Sequence, residues 1–350
     1  MRKGVIATSV GLCLVFLPLH VQATTVYVDK SFAPCDQSDG SQQAPYCTIQ
    51  QTITEDFNSD EIIVYPGIYT ENILITKNLT LRSYDGPHTT TIDGSMHVAR
   101  FDTVTLNQNI SVVIEGLKIS SGRYGVYVPK GTSLRLRNCV MCSNQSHGLM
   151  IDHTDESKIP SVIVYNCVFV ANVGSGVFIG VVNAGGGYHP AYFSMRNSIL
   201  VGNTEYGVNI FPYWDPGVYK NAERITLDYN NCVNNAIGDY YPNAFCSGRA
   251  YSCGPHSISV PPDFVSGPGT VCNKDFRLKD ISLCVDAGDP GMGWIDPDGT
   301  RNDMGAYGGP GAQRFYTNPN DGPIVREVIL PQGMVPKGET FEIRATGAVR

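Results

Sequence analysis

The chain has 350 residues, a formal net charge of −7 and only 16% charged residues, with 37 glycines and 19 tyrosines. An acidic, charge-poor chain of this kind is not built to neutralise nucleic acid or an anionic membrane surface. Its Gly, Asn and Tyr content points to a β-rich extracellular protein rather than a helical cytosolic one.

In chain order, residues 1–23 read as a secretory signal peptide. Arg2 and Lys3 precede the apolar run Val10–Leu19, and Val21-Gln22-Ala23 supplies small residues for cleavage. The apolar run is too short to span a membrane and contains Pro18, so no membrane insertion is expected. Of the 11 cysteines, one (Cys13) lies in the signal segment. The even number left suits disulfide formation in an oxidising compartment. Cys35–Cys47, Cys246–Cys253 and Cys272–Cys284 are plausible local pairs, although spacing does not fix connectivity.

The middle of the chain repeats itself. NCVMCSNQSHGLMI starts at Asn138, NCVFVANVGSGVFI at Asn166 and NSILVGNTEYGVNI at Asn197. Ten positions separate Asn138 from Gly148, Asn166 from Gly176 and Asn197 from Gly207. A weaker copy precedes them around Gly116–Gly125, and a degraded one follows near Asn230. Within each copy, short alternating apolar and polar runs are broken by Asn and Gly, the pattern of short strands joined by turns. The repeat is too short for a strand–helix–strand unit, so stacked coils of parallel strands are predicted. Cys139, Cys167 and Ser198 then share one inward rung, and Met141, Phe169 and Leu200 the next. In this frame the repeated Asn residues bond to one another across coils. The repeated Gly residues provide positive φ. Cys139 and Cys142, although spaced CxxC, read as packing and corner residues.

Connectors between copies lengthen along the chain. There are 13 steps from Gly125 to Asn138, 18 from Gly148 to Asn166, 21 from Gly176 to Asn197 and 23 from Gly207 to Asn230. Coils stack about 4.8 Å apart, so the insertions pile up on one flank. They bring Asp152, Asp155, Glu156, Tyr188, His189, Tyr213, Trp214, Asp215 and Tyr219 to that edge. Aromatic rings beside carboxylates suit a sugar, whose CH face packs on a ring while its hydroxyls bond to acids. The same rings would also serve to cover the outward stripe Tyr127, Met150 and Phe178. Another column, Glu115, Arg137, Tyr165 and Arg196, is expected to point outward just before each corner. Arg137 and Arg196, with Lys118 or Arg135 nearby, are candidate bases for lyase chemistry; the alternative is a solvated ladder of opposite charges. In DPDGTRND, the residues Asp296, Asp298, Asn302 and Asp303 offer alternating oxygens around a Gly turn, either a Ca²⁺ loop or an Asx-rich cap.

Residues 312–323 form a polar linker, and 324–350 alternate like two strands with a turn, the start of an immunoglobulin-like β module.

TVYVDKSF, GSQQAPYCTIQQTI, IIVYPGIYTENILITKNLTLRS, TTTIDG and the closing SLCVDAGDPGMGWIDPDGTRNDMGAYGGPG carry a resemblance. With the repeats, they are similar to the right-handed parallel β-helix proteins of the pectin lyase-like superfamily, of the secreted bacterial type, over residues 24–311. The resemblance implies an all-β solenoid with a short N-terminal capping helix. It does not carry one activity, because this fold hosts lyases, hydrolases, esterases and inert shafts. The downstream Asp, Gln and Arg set of pectin methylesterases is absent. Ser146-His147-Gly148 only superficially resembles the histidine motif of polygalacturonases. The reading is a secreted β-helix that binds an extracellular polysaccharide without turning it over. The alternatives are a lyase or glycoside hydrolase on acidic, pectin-like glycans, and a passive surface or adhesion shaft. No cofactor beyond a possible Ca²⁺ is implied.

Overall fold

The computed structural model describes residues 24–56, 59–97, 101–184, 187–211, 222–241, 254–266, 272–314, 324–329 and 344–348. Three sheets of parallel strands run along one axis. In a central coil, Ser133–Arg137 belongs to the first sheet, Val140–Cys142 to the second and Leu149–Ile151 to the third. The next coil repeats this with Ser161–Tyr165, Val168–Val170 and Val177–Ala184, and the one after with Tyr192–Arg196, Ile199–Val201 and Tyr206–Phe211. Registers follow the repeat: Leu134 pairs with Val162 and then Phe193, and Met141 with Phe169, Leu200 and Cys232. The chain is therefore a parallel β-helix. Its interior is a continuous column of aliphatic residues with Cys139, Cys167 and Phe169 fully buried.

The N-terminal end is closed by the helix Ile49–Glu55. Thr48 caps it by accepting from the Gln51 amide, and the Glu71 carboxylate accepts from the Ile49 and Gln50 amides. A carboxylate at that position answers amides that have no partner inside the helix. Ile49 and Ile53 face the first coils and are buried.

Both kinds of corner differ from the sequence expectation. The residues with positive φ are the asparagines: Asn138 at 52°, Asn166 at 50° and Asn197 at 53°. The repeated glycines do not have positive φ. They are there because coils touch: a Cβ on Gly125, Gly148, Gly176 or Gly207 would lie 2.5, 2.7, 2.8 or 2.5 Å from the next coil's carbonyl oxygen. The asparagine ladder exists, but it is the next asparagine of each copy that builds it. Asn144 donates to Asn172 (2.9 Å), Asn172 to Asn203 (2.9 Å) and Asn203 to Asn235 (2.8 Å), all buried.

Asn138, Asn166 and Asn197 instead hold a strap. After the last coil the chain turns back and lies along the second sheet. Asn138 donates to the Ala306 and Gly308 carbonyls, Asn166 to Asn302 and the Asp303 and Gly305 carbonyls, and Asn197 accepts from the Asp289 amide. Beneath the strap, Val140, Val168, Val170, Ile199 and Val201 pack with Phe264, Phe276, Cys284, Met304 and Ala306 as a second core. This explains why second-sheet strands are buried on both faces, whereas first-sheet strands alternate.

Cys35–Cys47 is bridged as expected. Cys272 pairs with Cys142, not with Cys284, and so ties the strap to the shaft across 130 residues; Cys284 stays unpaired in the second core. Residues 1–23 and the pair Cys246–Cys253 lie outside the described residues. Near the C-terminus, Ile324–Ile329 and Arg344–Ala348 pair antiparallel; the rest of an immunoglobulin-like sandwich is not seen among the described residues. No described helix is long and apolar enough to cross a membrane.

Candidate functional site

The three longest connectors all leave the third sheet for the first at the same corner. The second connector is a hairpin: Val177–Ala184 runs past the sheet and Gly187–Pro190 folds back on it, pairing Val182 with His189 and Asn183 with Tyr188. One residue from each connector meets at a single carboxylate. Glu156, from the first, lies 3.7 Å from His189 Nδ1 of the second. Arg224, at the end of the third, grips both Glu156 oxygens at 2.7 and 3.3 Å. It also donates to the Pro190 carbonyl (3.1 Å), and its guanidinium lies 5.0 Å above the Tyr192 ring. A two-pronged arginine–carboxylate pair fixes geometry as well as charge. That hydrogen bond holds the Glu156 carboxyl below its usual range. The side chain of His153 is fully buried 3.4 Å from Glu156, and burial lowers its pKa.

The expected gathering of connectors on one flank is therefore present, but several named residues do other things. Asp152 accepts from the Tyr127 hydroxyl at 2.8 Å. Asp155 closes its own turn by accepting from the Ser157 amide and hydroxyl, and pairs with Lys130 at 3.5 Å. Tyr188 is on the hairpin. Tyr213, Trp214, Asp215 and Tyr219 lie outside the described residues. Arg224 and Tyr192 were missed. The signal was available: extending the repeat frame upstream puts Arg224 beside Tyr192, one step before the paired Phe193 and Ile225.

The first sheet's outer face adjoins this flank. Its charged column is largely self-neutralised. Arg82 pairs with Glu61 (2.5 Å), Arg137 with Glu115 (2.5 Å) and the Tyr165 hydroxyl (3.3 Å), and Arg196 with Asp289 of the strap (2.5 Å). Burial opposes the Arg137 charge, but Glu115 and Tyr165 outweigh it and raise its pKa. Lys118 is not on this face at all. It belongs to the second sheet, buried under the strap with its Nζ 5.9 Å from the Phe276 ring, because its strand position alternates outward into the second core. What the open face shows solvent includes Arg135, Ile163 (39% exposed) and Tyr192 (48% exposed), among the outward Ser133, Ser161 and Ser194.

The third sheet carries an aromatic stack. Tyr124, His147 and Phe178 lie at 5.7 and 4.6 Å with interplanar angles of 6° and 24°, Phe211 continues it at 6.0 Å, and Arg123 caps Tyr124 at 4.6 Å. These ring faces are spent on each other, which favours covering the sheet over stacking on sugars. His147 Nδ1 accepts from the Ser175 amide (2.9 Å), and burial pushes its pKa down to about 4. Its ring is stacked between those of Tyr124 and Phe178.

The Asp296–Asp303 segment does not fit a calcium ion. Both Asp296 oxygens accept backbone amides, of Gly309 and Asp303. Asn302 is shared between Asn166 and the Trp294 carbonyl, Asp303 accepts from the Asp286 amide, and Asp298 closes a turn onto Thr300. Burial first, then mutual repulsion, pushes Asp296 up to about 8; burial pushes Asp303 up to about 6. A calcium loop presents free carboxylate oxygens to the ion, whereas here protein donors already take them. Among the described residues no group of three or more His, Cys, Asp or Glu side chains is arranged to hold a metal.

A family model agrees with the architecture. Residues 40–213 match the family model for the right-handed β-helix region. A cell surface glycoprotein of Methanothermus fervidus is 35% identical over 95 residues, which is 27% of this chain and 15% of that protein; the chain thus spans a small part of that relative's length. Among solved structures, a pectate lyase aligns over 82% of this chain and 97% of its own at 15% identity and a TM-score of 0.34. A pectin methylesterase mutant crystallised with a hexasaccharide aligns over 61% and 80% at 13% identity and a TM-score of 0.32.

Proposed function

Starting from a chain that is a right-handed parallel β-helix protein, the fold class of the pectin lyase-like superfamily, we propose that it binds an extracellular polysaccharide along the connector flank and does not cleave it. The observation that carries this reading is the clasp at Glu156. Three successive coils each spend a side chain to hold their connectors together, which builds a fixed surface at one edge of an otherwise open face. Fixed polar loops on a rigid scaffold are what binding sites use. Next to the clasp, Tyr192 and Ile163 offer apolar surface for a sugar ring, and Arg135 and the serines offer donors for its hydroxyls. Tyr188, His189, Trp214, Tyr213, Tyr219, Asp152, Asp155 and Asp215 belong to or border the same connectors.

The non-catalytic part of the reading rests on charge. Arg137 and Arg196 are each paired with a carboxylate, and Lys118 is on another face. The two disulfides, Cys35–Cys47 and Cys142–Cys272, and the partial likeness to a cell surface glycoprotein support a location outside the cell or at its surface.

Affinity electrophoresis against a panel of polysaccharides, with ultraviolet monitoring for unsaturated products, tests this. Retardation by at least one glycan without product is expected. Product formation supports a lyase, and retardation by none supports a passive shaft.

A further inference from the structure

The sequence contains three Asn-X-Ser/Thr triplets: Asn78-Leu79-Thr80, Asn109-Ile110-Ser111 and Asn144-Gln145-Ser146. This triplet is the acceptor for N-linked glycan in exported proteins, yet the fold treats the three differently. Asn78 and Asn109 are exposed. Each lies between a third-sheet strand (Ile73–Ile75 or Val104–Leu106) and a first-sheet strand (Leu79–Ser83 or Ser111–Glu115), in neighbouring coils. This is the corner from which the long connectors emerge further along the shaft. Asn78 uses only its Oδ1, which accepts from the Ser111 amide at 2.8 Å. Asn109 adopts φ 61°, a left-handed turn that asparagine tolerates, and its Oδ1 lies beneath Gly131. Among the described residues neither Nδ2 has a hydrogen-bond partner, so replacing one of its hydrogens breaks nothing. Asn144 is fully buried, and its Nδ2 donates to Asn172 within the ladder. A sugar there would cut the ladder and has no space.

From this we infer that Asn78 and Asn109 are N-glycan acceptors and that Asn144 is not, independently of what the connector flank binds. The donor class is an oligosaccharide joined through phosphate to a lipid. A bond forms between Nδ2 and the anomeric carbon. The bond from that carbon to the phosphate oxygen breaks, its electron pair leaves with the lipid phosphate, and Nδ2 loses one proton. The transferase is the exporting host's. Two glycans on adjacent coils would shield the flank on the N-terminal side of the connectors and leave the connectors themselves open.

The test is glycopeptide mass spectrometry on the full-length chain secreted by a eukaryotic host. The expected result is glycan on Asn78 and Asn109, an unmodified Asn144 peptide, and loss of one glycan mass in each of Asn78→Gln and Asn109→Gln. An unmodified Asn78 or Asn109, or glycan on Asn144 in the folded protein, would overturn the inference.

Discussion

The first and second sheets are made from the same repeat, yet one is open and the other is covered. In the second sheet the outward positions are Val140, Val168 and Ile199, all buried beneath the strap. In the first sheet the corresponding outward positions are Arg135, Ile163 and Ser194, and no second core forms over them. The inward residues of both sheets are apolar and cannot tell the two apart. What a coil does for stability is therefore written on its inward residues, and what it meets is written on its outward ones.

Charge substitution gives the largest expected contrast. Val168→Asp would bury an unpaired carboxylate under the strap and should cost several kcal/mol, whereas Ile163→Asp on the open face should stay within about 0.5 kcal/mol of the parent. Chemical denaturation of both variants checks this; similar losses would mean that the two faces are not differently covered. Asn172→Ala removes a donor from the ladder and leaves Asn144 without its acceptor, so about 2–6 kcal/mol should be lost, the sum of two such penalties. Asn166→Ala should instead loosen the strap, seen as faster proteolysis within residues 285–311 while the coils stay protected.

Acid should act through His147. Its folded pKa of about 4 lies below the unfolded value near 6.5, so the unfolded chain takes the proton first. This contribution is complete above about pH 6.5 and is lost as the pH falls toward 4, by about 3 kcal/mol from the relation between pKa shift and free energy. Urea midpoints of the parent and His147→Phe across that range measure it: the acid-side loss should shrink in the variant. The smallest effect on folding is expected from Tyr192→Ala, which should leave the melting temperature nearly unchanged while weakening glycan binding about tenfold, a change of about 1.4 kcal/mol.

The coil frame was legible because it is local. Period-two alternation and the ten-residue interval from Asn138 to Gly148 set the register without any distant contact. The lengthening connectors likewise predicted the crowded flank. What stayed hidden depends on long-range contacts. The strap reaches Asn138 from Gly308, and Cys142 finds Cys272, across distances in sequence that no spacing rule covers. The two asparagines of each copy look alike in sequence. Only the strap makes Asn166 a docking residue, and only the buried corner makes Asn172 a rung. Lys118 was misassigned for the same reason, since its outward side is a second core rather than solvent.

The connector flank as a binding surface is tested most directly by affinity electrophoresis of the parent, Tyr192→Ala and Glu156→Gln on the same polysaccharide panel. At least one glycan should retard the parent, and both substitutions should weaken that retardation while the protein stays folded. A parent retarded by nothing, or retardation that both variants keep in full, would contradict it.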